Sequence, residues 1–374
     1  MNLMQLQMAG QVLDKVKTQL YLPSEELIDW DMAAAIAFDV AGGPRLLGDP
    51  GELTDVYWDA AQVLAPMVSE YGGVQVPLSN PVCVLDRNQW ALHNIQNARL
   101  VLEPIFTKYR EAFHDYIHST YPLAGWLEKA GQVSLTTEVG LLLGFLSRKV
   151  LGQYDLPFAP SKRKAGENPI FIVEPNILAV ERKYDVDSAN LRFWIVLHEL
   201  THAYQFTACS WLPGYFDQLV QRYLGFVETA LEGLKGKVGE SSRPFRWSFW
   251  SWRELLGPEN RQFLGEIQAL MSLLEGYSDH LMFKVGQRLP GVGSLGRVFN
   301  RRQRKFYQRL VEAALGFGVK RRQYELGERF VSSVVDSRGI GFFNQVWEDE
   351  SKLPTLKEIV EPVRWVSRVS GVSP

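Results

Sequence analysis

The chain has 374 residues, 46% hydrophobic and 22% charged, with a formal net charge of −2. That is ordinary globular composition, and the near-balanced charge gives no electrostatic reason to expect nucleic acid or an anionic membrane as a partner. Two cysteines, Cys83 and Cys209, exclude a disulfide framework or a Cys-rich zinc knot. The amino terminus has no basic segment leading into a long apolar run, and the longest apolar stretch, near Val139 to Leu146, is far short of a bilayer span; a cytoplasmic protein is expected.

Residues 2 to 20 read as an amphipathic helix, with Leu3, Leu6, Val12, Leu13, Val16 and Leu20 at helical spacing. Pro23-Ser24-Glu25-Glu26 is a helix-start signal, and the helix through Trp30 to Phe38 stops at Gly42-Gly43-Pro44. Another helix is predicted near Thr54 to Tyr71. Gly72-Gly73 then opens a stretch with strand character, Val74 to Pro77 and Val82 to Leu85. Asp86 to Trp90 looks like a cap leading into a helix to about Leu102. Separate helices are expected over Tyr109–His118, Pro122–Lys129 and Thr137–Val150. Pro169 to Pro175 frames a second strand, for which we expect the role of a sheet edge that could hold extended substrate by backbone hydrogen bonds. Later helices are predicted from Tyr215 to about Leu234, from Pro258 past Met282, and over Val298–Leu315 and Arg321–Val334. The fold class is α+β, predominantly helical, with a small sheet.

The most informative stretch is Arg192 to Phe206. No Gly or Pro interrupts it, and it contains H-E-x-x-H as His198-Glu199-Leu200-Thr201-His202. On a helix, residues four apart stand one turn above each other, so His198 and His202 can aim two imidazoles at one ion. Glu199 sits where a carboxylate can serve as the base for a metal-activated water. Between Phe193 and Phe206 it is the only charged side chain besides the histidines.

Two histidines do not complete a zinc site. The continuation H-x-x-G-x-x-H would need Gly at 205 and His at 208, where the chain has Gln205 and Ala208. The remaining route is a carboxylate from a later helix, with Asp217, Glu228, Glu232, Glu254, Glu266 and Glu275 as candidates. Glu275 is preferred, because it lies beside Leu274 on a largely apolar helix, where a bare carboxylate is costly unless paired or bound to metal. Gly276 leaves room for another backbone or a ligand. Asp279, one turn on, suits a carboxylate that accepts the free N–H of a ligating histidine. His280 is a rival ligand projecting from another side of the helix.

Other patterns carry less. His114 and His118 share the i, i+4 spacing, but their polar neighbours point to a solvated face. Gly291 to Gly296 matches G-x-G-x-x-G without the preceding strand of a dinucleotide site. The arginine-rich run from Arg297 to Arg309 reads as a solvated helix face, and the aromatic-rich stretch Arg243 to Arg253 as packing over the core.

With these residues the chain resembles the zincin superfamily of metallopeptidases, in the subset whose third ligand is a distant Glu. It is more closely similar to a zincin-like family of actinobacteria and Chloroflexi that genomic context associates with biosynthesis of a deazaflavin coenzyme. The matching segments are 28–31, 144–155, 174–177, 194–206, 274–282, 320–330 and 347–365. The resemblance implies a single zincin-like unit over 1–374, in two lobes if divided: helical 1–160, and metal-binding and carboxy-terminal 161–374. It implies Zn2+ held by His198, His202 and Glu275, with Glu199 as base, and a peptide or protein substrate; no nucleic acid or membrane partner is expected. Tyr154, Tyr204, Tyr277 and His280 are the candidates for stabilising an oxyanion or contacting substrate. The alternative is a metal-binding accessory protein of the same fold without hydrolysis. A di-iron carboxylate protein is a third possibility; Glu199 and His202 would supply half of it, but Ser278 stands where the second E-x-x-H needs His.

Overall fold

The structure is a computed structural model that describes residues 26–42, 46, 49–76, 81–120, 124–155, 168–222, 225–226, 261–289, 291 and 322–371. Expectations for residues 2–20, 243–253 and 297–315 lie outside the described residues, as do the side chains of His114 and His118 and most of the 291–296 motif.

Helix α1 (Trp30–Ala41) starts where Asp29 accepts the Met32 N–H at 2.9 Å, and ends at Gly42, whose φ of 27° suits glycine. Helix α2 (Pro50–Gly72) has Asp49 as its cap and Pro50 in its first turn. Strand β1 (Val82–Leu85) leads into α3 (Arg87–Thr120), and α4 (Ala124–Ser147) follows. The separate helices predicted across 87–150 are thus two long ones; the second gap between them is continuous helix with Gln132, Leu135 and Thr136 buried, not a break. The strand expected over Val74–Pro77 is absent at 74–76. Glycines set the α1–α4 contact. A Cβ on Gly140 would lie 2.7 Å from the Ala33 carbonyl oxygen, and one on Gly144 2.6 Å from that of Ala37.

Strands β2 (Gly152–Tyr154) and β3 (Ile170–Val173) complete a three-stranded sheet in the order β1-β3-β2. β1 runs parallel to β3 with Val82 opposite Ile170, and β2 antiparallel with Gln153 opposite Phe171. The strand at 170–173 is therefore central, not the expected edge. All four of its residues are buried, as a run of Ile-Phe-Ile-Val covered on both faces requires. The edge facing the helix that carries His198 and His202 is β2, three residues long and too short for an alternation pattern to reveal.

The sheet separates two apolar clusters, with alternate residues serving each. Val82, Val84, Tyr154, Ile170 and Ile172 join the larger one, while Val173 joins the smaller, built from α1, α3 and α4. The larger cluster takes residues from both sides of position 160, including Tyr57, Leu64 and Val68 of α2.

Helix α5 (Glu174–Tyr184) leads to α6 (Ser188–Ala208), capped by Asp187 accepting the Asn190 N–H at 2.8 Å. Arg192 anchors the first half of α6 through Glu174 and Glu181, and Tyr57 of α2 donates to the same Glu174. Helix α7 (Arg261–Gly286) crosses α8 (Arg322–Arg338) at a glycine contact: a Cβ on Gly276 would lie 2.6 Å from the Gly327 carbonyl oxygen and 2.7 Å from the Glu328 nitrogen. The space beside Glu275 is thus filled by the backbone of α8. The short helices α9 (Ile340–Phe343), α10 (Leu356–Val360) and α11 (Pro362–Ser370) close the core with the fully buried Trp365. No helix among the described residues is long and apolar enough to cross a membrane.

Candidate metal centre

Helix α6 is buried almost all round, so the residues of its motif sit deep in the protein. His198 and Glu199 are 2% and 1% exposed. The two imidazole Nε2 atoms lie 3.2 Å apart with their rings nearly perpendicular, as i, i+4 spacing predicts. From α7, some seventy residues later, Glu275 brings Oε1 to 3.8 Å from His202 Nε2. The three ligand atoms all lie within 4.8 Å of one another. Among the described residues this is the group of three or more His, Cys, Asp and Glu side chains compact enough for an ion. The side chains of His202 and Glu275 are each 13% exposed, so the centre opens to solvent on their side.

Tetrahedral zinc with bonds of roughly 2.0–2.2 Å places its ligand atoms roughly 3.3–3.6 Å apart. The observed 3.2 and 3.8 Å suit such an ion with small adjustments. The charges agree. Burial and the neighbouring His202 hold His198 well below its ordinary pKa; burial also lowers His202, against the opposing bond to Gln205. Burial pushes Glu199 up to about 8, although the Tyr154 N–H opposes the shift. Burial, then the charges of Asp279 and Glu199, raise Glu275 well above the carboxylate range. Burial is the leading cause of all four shifts: it keeps the imidazoles neutral, with lone pairs free to ligate, and makes a bare carboxylate costly unless it is paired or bound to metal.

Strand β2 holds the carboxylate of Glu199. Tyr154 N–H donates to Oε2 at 2.8 Å. Gly152 faces the same side chain, and a Cβ there would fall 2.6 Å from Oε1, 2.8 Å from Cγ and 2.9 Å from Cδ. The two candidate ligand rings are bonded on their far sides as well. His202 Nδ1 lies 3.0 Å from Gln205 Oε1, and His198 Nδ1 lies 3.2 Å from Met282 Sδ. Gln205 Nε2 donates to the Leu274 carbonyl at 2.7 Å.

Asp279 acts on the centre through its charge on Glu275. The Tyr204 hydroxyl donates to the Gly72 carbonyl, and its ring stacks on Tyr277 at 5.9 Å. Tyr277, fully buried, directs its hydroxyl to Asn344 Oδ1 at 3.3 Å. His280 lies between the Tyr71 hydroxyl at 2.7 Å and Ser332 Oγ at 3.1 Å, bridging α2 and α8. The Tyr154 hydroxyl accepts from Asn168 at 3.2 Å, so Tyr154 meets the centre through its backbone. Sequence reasoning missed Gly152, Gln205 and Met282. The usable signal was Gln205, an amide in the stretch Phe193 to Phe206, which is otherwise apolar except for the motif; Gly152 and Met282 gave none.

A family model described as zincin-like metallopeptidase matches residues 28–366. The chain is also similar to a crystal structure from Chloroflexus aurantiacus, described there as that of a candidate hydrolase with a novel fold. Identity is 29%, the TM-score 0.69, and the match covers 92% of this chain and 100% of that one. No curated protein matches.

Proposed function

The chain belongs to the zincin-like metallopeptidase family, and from that premise we propose that it is a zinc-dependent hydrolase, in particular a peptidase. The observation that carries this reading is the convergence of His198, His202 and Glu275 beside the strand-held carboxylate of Glu199. His198, His202 and Glu275 would hold the ion. When bound, zinc supplies a Lewis acid that acidifies water and polarises a carbonyl. Glu199 would take the proton of the attacking water and return it to the leaving amine. Its Oε2 is bonded to the Tyr154 N–H, which leaves Oε1 for that transfer. The partial opening at His202 and Glu275 is the side from which substrate would approach. Two free cysteines suit a reducing, cytoplasmic setting.

The depth of Glu199 supports a second reading, a metal-holding accessory protein without turnover. Metal analysis and a peptide library, applied to the wild type and Glu199→Gln, separate the two. A hydrolase binds one zinc in both forms and cleaves only as wild type. Cleavage that survives the substitution removes Glu199 as the base, and a zinc-loaded wild type that cleaves nothing favours the accessory role.

A further inference from the structure

Gln205 is fully buried, and its amide is bonded at both ends. The end toward α7 meets the Leu274 carbonyl, which can only accept, so the NH2 group must lie there. The other end is then the amide oxygen, 3.0 Å from His202 Nδ1. An oxygen without a hydrogen needs a donor opposite, so Nδ1 carries the ring proton. The lone pair is left on Nε2, the atom that faces His198 and Glu275. Ser278 Oγ, 3.5 Å from the same Nδ1, cannot set this choice, because a hydroxyl can donate or accept as required.

We infer that Gln205 is a positioning residue that fixes the tautomer of His202 by reading the Leu274 carbonyl, and so couples the two helices that supply the ligands. Resting on the metal-centre reading above, the role has two parts. The backbone of α7 orients the amide, and the amide orients the proton on the ring. The same side chain ties His202 to the residue next to Glu275, so ligands from distant segments share one clamp. This is the place where a carboxylate partner for a ligating histidine was expected; a neutral amide can serve because its own orientation is locked.

The test is 15N NMR of the imidazole nitrogens in metal-free, full-length protein near neutral pH. The chain has six histidines, and the His202 signals are identified by their loss in His202→Gln. We expect His202 as the Nδ1–H tautomer in the wild type and a shift toward Nε2–H in Gln205→Leu. Zinc affinity, measured by chelator competition, should fall on the order of 10- to 100-fold in that variant. A purely structural Gln205 would lower stability and leave the tautomer unchanged. An Nε2–H ring in the wild type, or the same tautomer in Gln205→Leu, overturns the inference. Should Gln205→Leu fail to fold, the wild-type spectrum decides alone. A protein with the expected tautomer but no zinc affinity would refute the metal reading while leaving the Gln205 assignment in place.

Discussion

Replacing Gly152 with alanine is a one-carbon probe of how the candidate base is held. The added methyl would meet Oε1, Cγ and Cδ of Glu199 at 2.6, 2.8 and 2.9 Å, all closer than real contacts allow. Either β2 or the carboxylate must move. β2 is held through its pairing to β3 and through the bonds Asp155 N–H to Pro169 and Val173 N–H to Leu151, both 2.9 Å. The side chain therefore yields and gives up the Tyr154 N–H. Leaving that buried donor unpaired costs about 1–3 kcal/mol. Overpacking costs about 1–3 kcal/mol as well, but the same motion relieves part of it, so a net loss of roughly 2–4 kcal/mol is expected. Chemical denaturation with an unchanged m-value measures this directly. Zinc stoichiometry should stay at the wild-type level, since no candidate ligand touches Gly152, while any hydrolysis should fall by about 10²- to 10⁴-fold through displacement of the base. A variant within about 0.5 kcal/mol of wild type would refute the reasoning, because it would show that the slot beside Glu199 has room to spare.

His280 is 3% exposed, and burial, then Lys284, push it down to about 4, with Asp336 opposing. The unfolded chain takes up that proton first, near pH 6.5, so the contribution is present above 6.5 and is lost as pH falls to about 4. The fall from 6.5 to about 4 corresponds to at most about 3 kcal/mol, and a His280→Gln variant should show a flatter stability curve across that window; an equal slope would exclude His280 as the source. Gly276→Ala should cost about 3 kcal/mol and weaken zinc binding, because the methyl strikes the unyielding backbone of α8 one residue from Glu275. Gly265→Ala on the same helix, whose Cβ would rest at an ordinary 3.5 Å from Leu356, is the control and should be neutral or mildly stabilising in the same denaturation assay.

The parts legible in the sequence are those fixed by local spacing. His198, Glu199 and His202 stand four residues or fewer apart on an uninterrupted helix, so their arrangement follows from helix geometry. Glu275 was reachable only by chemistry, as a carboxylate beside Leu274 on an apolar helix, and the structure places it with the histidines. What depends on contacts between distant segments was not legible. β2 became a strand only by pairing with residues some twenty positions later, and that pairing left 170–173 central. Tyr204 and Tyr277 looked available because they flank the motifs, yet the stack they form and their bonds to Gly72 and Asn344 involve parts of the chain far from either. The gaps left near 105 and 130 hold the helix breakers Pro104 and Gly131, yet α3 and α4 continue through them.

The strand order β1-β3-β2 also bears on how the chain matures during synthesis. β1 and β2 each pair with β3 and not with each other, and β3 is the last of the three to be made. Until residue 173 has left the ribosome, both earlier strands have open hydrogen-bonding edges and no partner. Closure then joins β1 and β3 across more than eighty residues, a non-local step that carries a high loop-closure cost. Before that moment the apolar residues of β1 and β2 lack the sheet that covers them, and exposed apolar surface with unpaired strand edges favours aggregation.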